Sequence, residues 1–176
     1  MMRKTLLTIL LSSMTMTATF AKTAVVYFSA TGTTQKMAKT LAEEIDADIF
    51  EIEPVHKYTA EDLNWHDKKS LTTIECRDPK SRPAMQNKID ISDYDTVILC
   101  YPIWWSYAPK IVYTFVESQD WNGKTLMTFC TSGGSRLGKS GSELAKIAQG
   151  CSYKGGADFT RTKAADMKKN IEKLLK

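Results

Sequence analysis

The sequence predicts an α/β protein: one doubly wound domain on a parallel sheet. Three observations carry this reading. Ala24–Phe28, Val97–Cys100 and Leu126–Cys130 are short, nearly continuous apolar runs, the pattern of strands buried on both faces. Stretches of helical period lie between them, and strands alternating with helices form parallel βαβ units with right-handed crossovers. Finally, 176 residues with 43% hydrophobic content, no internal repeat and no low-complexity linker fit one domain with a real core.

The first 21 residues stand apart. Arg3 and Lys4 precede the apolar run Thr5–Leu11, and Ala18-Thr19-Phe20-Ala21 offers a small-residue cleavage site. This is the pattern of a secretory signal peptide over 1–21, which leaves 22–176 as the domain. The run is too short and too diluted by Thr and Ser to span a bilayer stably. A periplasmic or secreted protein without stable membrane insertion is expected; a cytoplasmic one fits less well. Losing Arg3 and Lys4 lowers the net charge from +4 to +2, and no like-charge run suggests nucleic acid. Export permits disulfides, but Cys76, Cys100, Cys130 and Cys151 contain no CxxC. Cys100 and Cys130 lie in strand-like runs and read as buried free thiols. His56 and His66 have no partnering cysteines, so no metal site is expected.

The first strand runs into Ser29-Ala30-Thr31-Gly32-Thr33-Thr34 and then a helix with Met37, Ala38, Leu41, Ala42 and Ile45 on one face. A strand, a hydroxyl-rich turn and a helix N-terminus form an anion site, because first-turn amides lack helical acceptors and the helix dipole favours negative charge. Neither GxxxxGK[ST] nor GxGxxG is present. A loop that works by hydroxyls and amides alone suits a phosphate monoester that stays bound. Asp48–Glu53 reads as the second strand, stopped by Pro54. Residues 54–90 form a long polar connector, with a short helix expected from Thr59 as N-cap with Asp62 three residues on; a connector of this length is usually functional or carries its own short elements. Tyr94–Cys100 is the third strand and runs into Tyr101-Pro102-Ile103-Trp104-Trp105-Ser106-Tyr107-Ala108-Pro109, with Pro109 opening a helix through Val112, Phe115 and Val116. Asn122-Gly123 turns the chain into strand Thr125–Cys130, whose exit is Thr131-Ser132-Gly133-Gly134-Ser135. A helix near Ser140–Ala148, a weak strand near Ser152–Phe159 and a last helix over 163–175 complete the chain.

The first loop resembles the FMN-phosphate loop of the flavodoxin family, Ser/Thr-x-Thr-Gly-x-Thr. The run Tyr101–Trp105 with Ala108-Pro109, Thr114-Phe115, Gly123-Lys124 and Phe129–Gly134 resembles a bacterial flavodoxin-like subgroup. Tyr58, Asp62, Leu63 and Arg82-Pro83 extend that similarity upstream. The resemblance implies a five-stranded sheet in order 2-1-3-4-5 and FMN as cofactor. It brings the exits of strands 1, 3 and 4 to one edge, where strand order reverses and ligands bind. Ser29, Ala30, Thr31, Gly32, Thr33 and Thr34 would then hold the phosphate. Pro102, Ile103, Trp104, Trp105 and Ser106 would line the ring, with the two indoles and Tyr107 as its flat surfaces. Thr131, Ser132, Gly133, Gly134 and Ser135 would bring backbone to its edge. The implied function is electron transfer with a redox partner protein or a small electron acceptor. An FMN-dependent reductase of a quinone or similar acceptor, or a flavin-free binding module, would use the same fold. No catalytic acid, base or nucleophile stands out; Cys130, at a strand end, reads as inert. The chain departs from the acidic carriers of the family by its slightly basic balance, with Lys110, Arg136 and Lys139 close to the loops in sequence.

Overall fold

The computed structural model describes residues 22–176. The proposed signal peptide, 1–21, lies outside the described residues. The elements follow in strict alternation: β1 (Thr23–Tyr27), α1 (Thr33–Ile45), β2 (Asp48–Glu51), α2 (Leu71–Arg77), β3 (Thr96–Pro102), α3 (Lys110–Glu117), β4 (Thr125–Thr131), α4 (Ser140–Ile147), β5 (Ser152–Asp158) and α5 (Ala164–Leu175). All five strands are parallel, in the order β2-β1-β3-β4-β5. This is the doubly wound sheet expected from the sequence, in the order that the resemblance implies.

Alternate residues of the central strands feed two cores. Val26, Phe28, Leu99, Tyr101 and Cys130 pack with Ile111, Phe115 and Leu144 on the α3–α4 side. Val25, Tyr27, Ile98, Cys100 and Phe129 pack with Leu41, Met167 and Ile171 on the α1–α5 side. The period of two therefore places Cys100 and Cys130 on opposite faces. All four cysteines are free.

β5 is weak in sequence because Gly155 and Gly156 interrupt it, yet it pairs with β4 from Ser152 to Asp158 with one register shift that skips Lys154. A Cβ on Gly156 would stand 1.7 Å from the Thr128 carbonyl oxygen, so the strand approaches β4 where only glycine fits.

The connector departs from expectation. Thr59 and Asp62 do form reciprocal capping bonds, Thr59 N–H to Asp62 Oδ2 at 2.8 Å and Asp62 N–H to Thr59 Oγ1 at 3.2 Å. They close only a turn, and the helix lies later, at α2. Side-chain oxygens of Asn64 and Asp67 take the amides of His66 and Lys69, competing with helical bonds where a helix would continue. The connector's ends are tied together and to β2. Val55 N–H bonds to Ala84 O, Gln86 N–H to Glu53 O, and the Asn87 amide donates to Glu51 O. Among the described residues no helix is long and apolar enough to cross a membrane, and no cluster of His, Cys, Asp and Glu could hold a metal ion.

Candidate functional site

The register aligns the carboxyl ends of β1, β3 and β4, pairing Tyr27 with Cys100 and Cys100 with Phe129. The three unusual loops therefore leave the sheet side by side.

The first loop ends in an uncapped helix. Gly32 takes the N-cap position at φ 84°, a left-handed conformation that favours glycine, and no side chain caps α1. The amides of Thr33, Thr34 and Gln35 thus face outward without helical acceptors, and no acid lies in the first turn. Ser29 Oγ accepts the Gly32 N–H at 3.1 Å and shapes the loop. Thr31 and Thr33 are exposed, their hydroxyls 3.5 Å apart. Thr34 is different: its hydroxyl is buried and bonds the Thr131 hydroxyl at 2.7 Å, tying α1 to the end of β4.

The second loop makes a tight reversal. Trp104 and Tyr107 exchange backbone bonds at 2.9 and 2.8 Å around Trp105 and Ser106, at φ 53° and 69°. Two non-glycine residues in the left-handed region are strained. Trp104 is wedged edge-on between Phe28 and Tyr58, ring centroids 5.6 and 5.2 Å away. Trp105 is held 42% exposed. Pro102 closes β3, and Ile103 N–H bonds to Thr131 O at 2.8 Å, joining this loop to the third. In the third loop Ser132 Oγ accepts the amides of Gly134 and Arg136, both at 3.0 Å, and its hydroxyl lies 3.1 Å from that of Ser135.

These loops enclose a cavity of about 600 Å³, within the range of small-molecule sites. Thr31 lines it from the loop before α1. Ile103, Trp104 and Trp105 form one wall, and Gly133, Gly134 and Ser135 another. Ser29 and Ala30 line a smaller neighbouring cavity, and Ser132 faces another, beside Arg136 and Arg161. The remaining wall was missed in the sequence: Leu63, Trp65 and Thr72, all from the connector. Trp65 is 63% exposed. Its only signal was a large aromatic residue among charges in an overlong connector.

Behind the indole wall, Tyr58 donates to Glu75 Oε2 at 2.8 Å. Burial pushes the Tyr58 phenol strongly upward, and the neighbouring carboxylate adds to this. Burial also raises the Glu75 carboxyl, partly offset by the Tyr58 bond. Cys130 is fully buried and pushed up to about 12, so it is an inert thiol at neutral pH. Lys110 lines a different cavity from the indoles and Arg136 yet another, while Lys139 is exposed.

A parallel 2-1-3-4-5 sheet with a hydroxyl-rich loop before α1 and an aromatic cavity at its switch point defines a flavodoxin-like protein. The family model for flavodoxin matches residues 22–174, and the chain belongs to the flavodoxin family. A proposed flavoprotein from Bacteroides eggerthii is 39% identical, with a TM-score of 0.85 over 89% of this chain and 99% of that one. A second, from Bacteroides uniformis, is 44% identical, with a TM-score of 0.82 over 86% and 98%. A flavoprotein from Lactobacillus acidophilus, solved in complex with FMN, shares the fold at 22% identity and a TM-score of 0.68, over 89% and 100%. None of the curated proteins compared matches the chain.

Proposed function

We propose that this protein binds FMN in the indole cavity and takes part in electron transfer. The observation that carries the reading is the continuity of the site. One cavity joins Thr31, beside the uncapped N-terminus of α1, to the indoles of Trp104, Trp105 and Trp65. The residues fit the group. Outward amides and the Thr31 and Thr33 hydroxyls suit a phosphate, and large flat side chains suit a tricyclic ring. The FMN complex of the Lactobacillus acidophilus protein supports the same reading. FMN supplies the redox chemistry when bound. The chain supplies the phosphate cradle, the ring walls and the exclusion of water, while the exposed edges of Trp65 and Trp105 leave a side open to a partner protein or a small acceptor.

Purified protein should take up FMN stoichiometrically and bind riboflavin far more weakly. Equal affinity for the two would remove the phosphate loop from the site, and a failure to take up FMN would overturn the proposal. Reduction by dithionite but not by NADH or NADPH is the expected behaviour of a partner-fed carrier; rapid bleaching by a nicotinamide would replace it with a reductase. We further propose that 1–21 is removed on export to the periplasm or beyond. N-terminal sequencing of protein from a periplasmic fraction should then begin near Lys22, and an intact Met1 in the cytoplasm would reverse this.

A further inference from the structure

A separate cavity of about 480 Å³ lies between the end of α2, the 104–107 turn and helices α3 and α4. It shares no lining residue with the indole cavity. Cys76 and Arg77 come from α2, Tyr107 from the turn, Lys110 and Tyr113 from α3, and Glu143 from α4.

Lys110 distinguishes this cavity from an ordinary surface groove. The residue is only 7% exposed, and lysine is almost never buried to that degree without a partner. Among the described residues no carboxylate lies within ion-pair distance of its Nζ, and no protein group accepts a hydrogen bond from it. Its contact is the face of Tyr113, 4.8 Å from the ring centroid. A ring face attracts the cation but accepts none of the ammonium's three hydrogen bonds in the usual geometry. No fully buried polar side-chain atom is left unbonded, so the Nζ reaches the cavity.

Arg82 also lies over Tyr113, at 5.4 Å, but it is engaged elsewhere. Its guanidinium bonds both Glu117 oxygens at 2.7 and 2.8 Å and the carbonyls of Pro79 and Ser81. Setting that pair aside, the lining keeps Lys110 and Arg77 against the single acid Glu143. That balance favours one negative charge and penalises two. The rest of the wall is apolar or aromatic, from the Tyr107 and Tyr113 rings with Pro79 and Ile147.

We propose that this cavity binds a small aromatic carboxylate, with the carboxylate on Lys110 Nζ and the ring against the exposed Tyr107. The ligand supplies an acceptor that no protein group gives the lysine, and its ring replaces water on the aromatic wall. This inference does not depend on FMN binding.

Benzoate is the probe, titrated by calorimetry into the full protein with and without added FMN. Saturable one-to-one binding is expected, with the same affinity in both cases. Lys110→Met keeps the buried stem and removes the charge, and it should weaken binding at least about tenfold, or about 1.4 kcal/mol. Glu143→Gln, at a half-exposed position, should tighten benzoate binding. Inorganic phosphate should bind more weakly than benzoate. Absence of saturation, displacement by FMN, or wild-type affinity in Lys110→Met with no gain in Glu143→Gln would each overturn the site. Phosphate binding as tight as benzoate would replace it with a simple anion site.

Discussion

At the scale of single residues, the Tyr58–Glu75 hydrogen bond joins a half-buried phenol to a buried carboxyl behind the indole wall. Burial favours the protonated Glu75 in the folded protein, so its pKa lies above the ordinary 4.5. The sign follows from linkage. The stability it contributes is fully present below pH 4.5 and is lost as pH rises through the raised value. Glu117 has the opposite sign: the Arg82 hydrogen bonds lower its pKa, so its contribution holds above 4.5 and fades as pH falls through the lowered value. Glu75→Gln keeps an acceptor for Tyr58 and removes the titration. The melting temperature of the variant minus that of the parent should therefore climb as pH is raised above 4.5. Parallel curves would show that Glu75 titrates normally.

At the scale of elements, the 104–107 turn and the α1–β4 tie are where local sequence and tertiary position disagree. A reversal with two positive-φ residues is ordinarily built from Asn and Gly, and here it is built from Trp105 and Ser106. Left-handed backbone costs roughly 1–2 kcal/mol for a residue with a Cβ, against about 0.5–1 kcal/mol of extra chain entropy for glycine. Ser106→Gly should accordingly raise unfolding stability by up to about 1 kcal/mol, read from urea denaturation. A loss would mean that the turn is not strained. The Thr34–Thr131 bond gives a second test. Thr34→Val strands a buried hydroxyl and should cost about 1–3 kcal/mol, while Thr34→Val with Thr131→Val should recover part of that. Additive losses would show that the two hydroxyls do not depend on each other.

At the scale of the whole molecule, charge is distributed away from the indole cavity. No Asp, Glu, Lys or Arg lines it among the described residues. Two unit charges about 10 Å apart at an effective dielectric near 40 interact by roughly 0.8 kcal/mol. That is roughly 35 mV for one electron. With FMN bound, the second reduction step should be less negative than in the acidic flavodoxins by several such increments. The mechanism is missing repulsion, since Lys110 and Arg136 face other cavities and supply no direct attraction. A redox titration at two ionic strengths checks this, and a strongly negative second potential, unchanged by salt, would contradict it.

The strands, most of the helices, the hydroxyl loop and the indole run are legible in the amino-acid sequence. Each is a local pattern: a strand buried on both faces must be apolar throughout, and a helix must be apolar on one stripe. Which remote residues complete the cavity follows from the folded chain. Nothing periodic in 54–90 marks Leu63, Trp65 and Thr72, because that segment follows turns made by side-chain bonds. Its path depends on contacts such as the Thr72 hydroxyl on Asp62 O at 2.6 Å and the pairing of Pro54 with Met85. The same holds for the polar side chains that face inward. Thr34 reads as one more exposed hydroxyl until β4 brings Thr131 against it, and Lys110 reads as a surface lysine until the fold buries it beside a cavity that residues of α2 and α4 also line. Periodicity reports which face of an element is apolar; it carries no information about what another element, distant in sequence, places against that face.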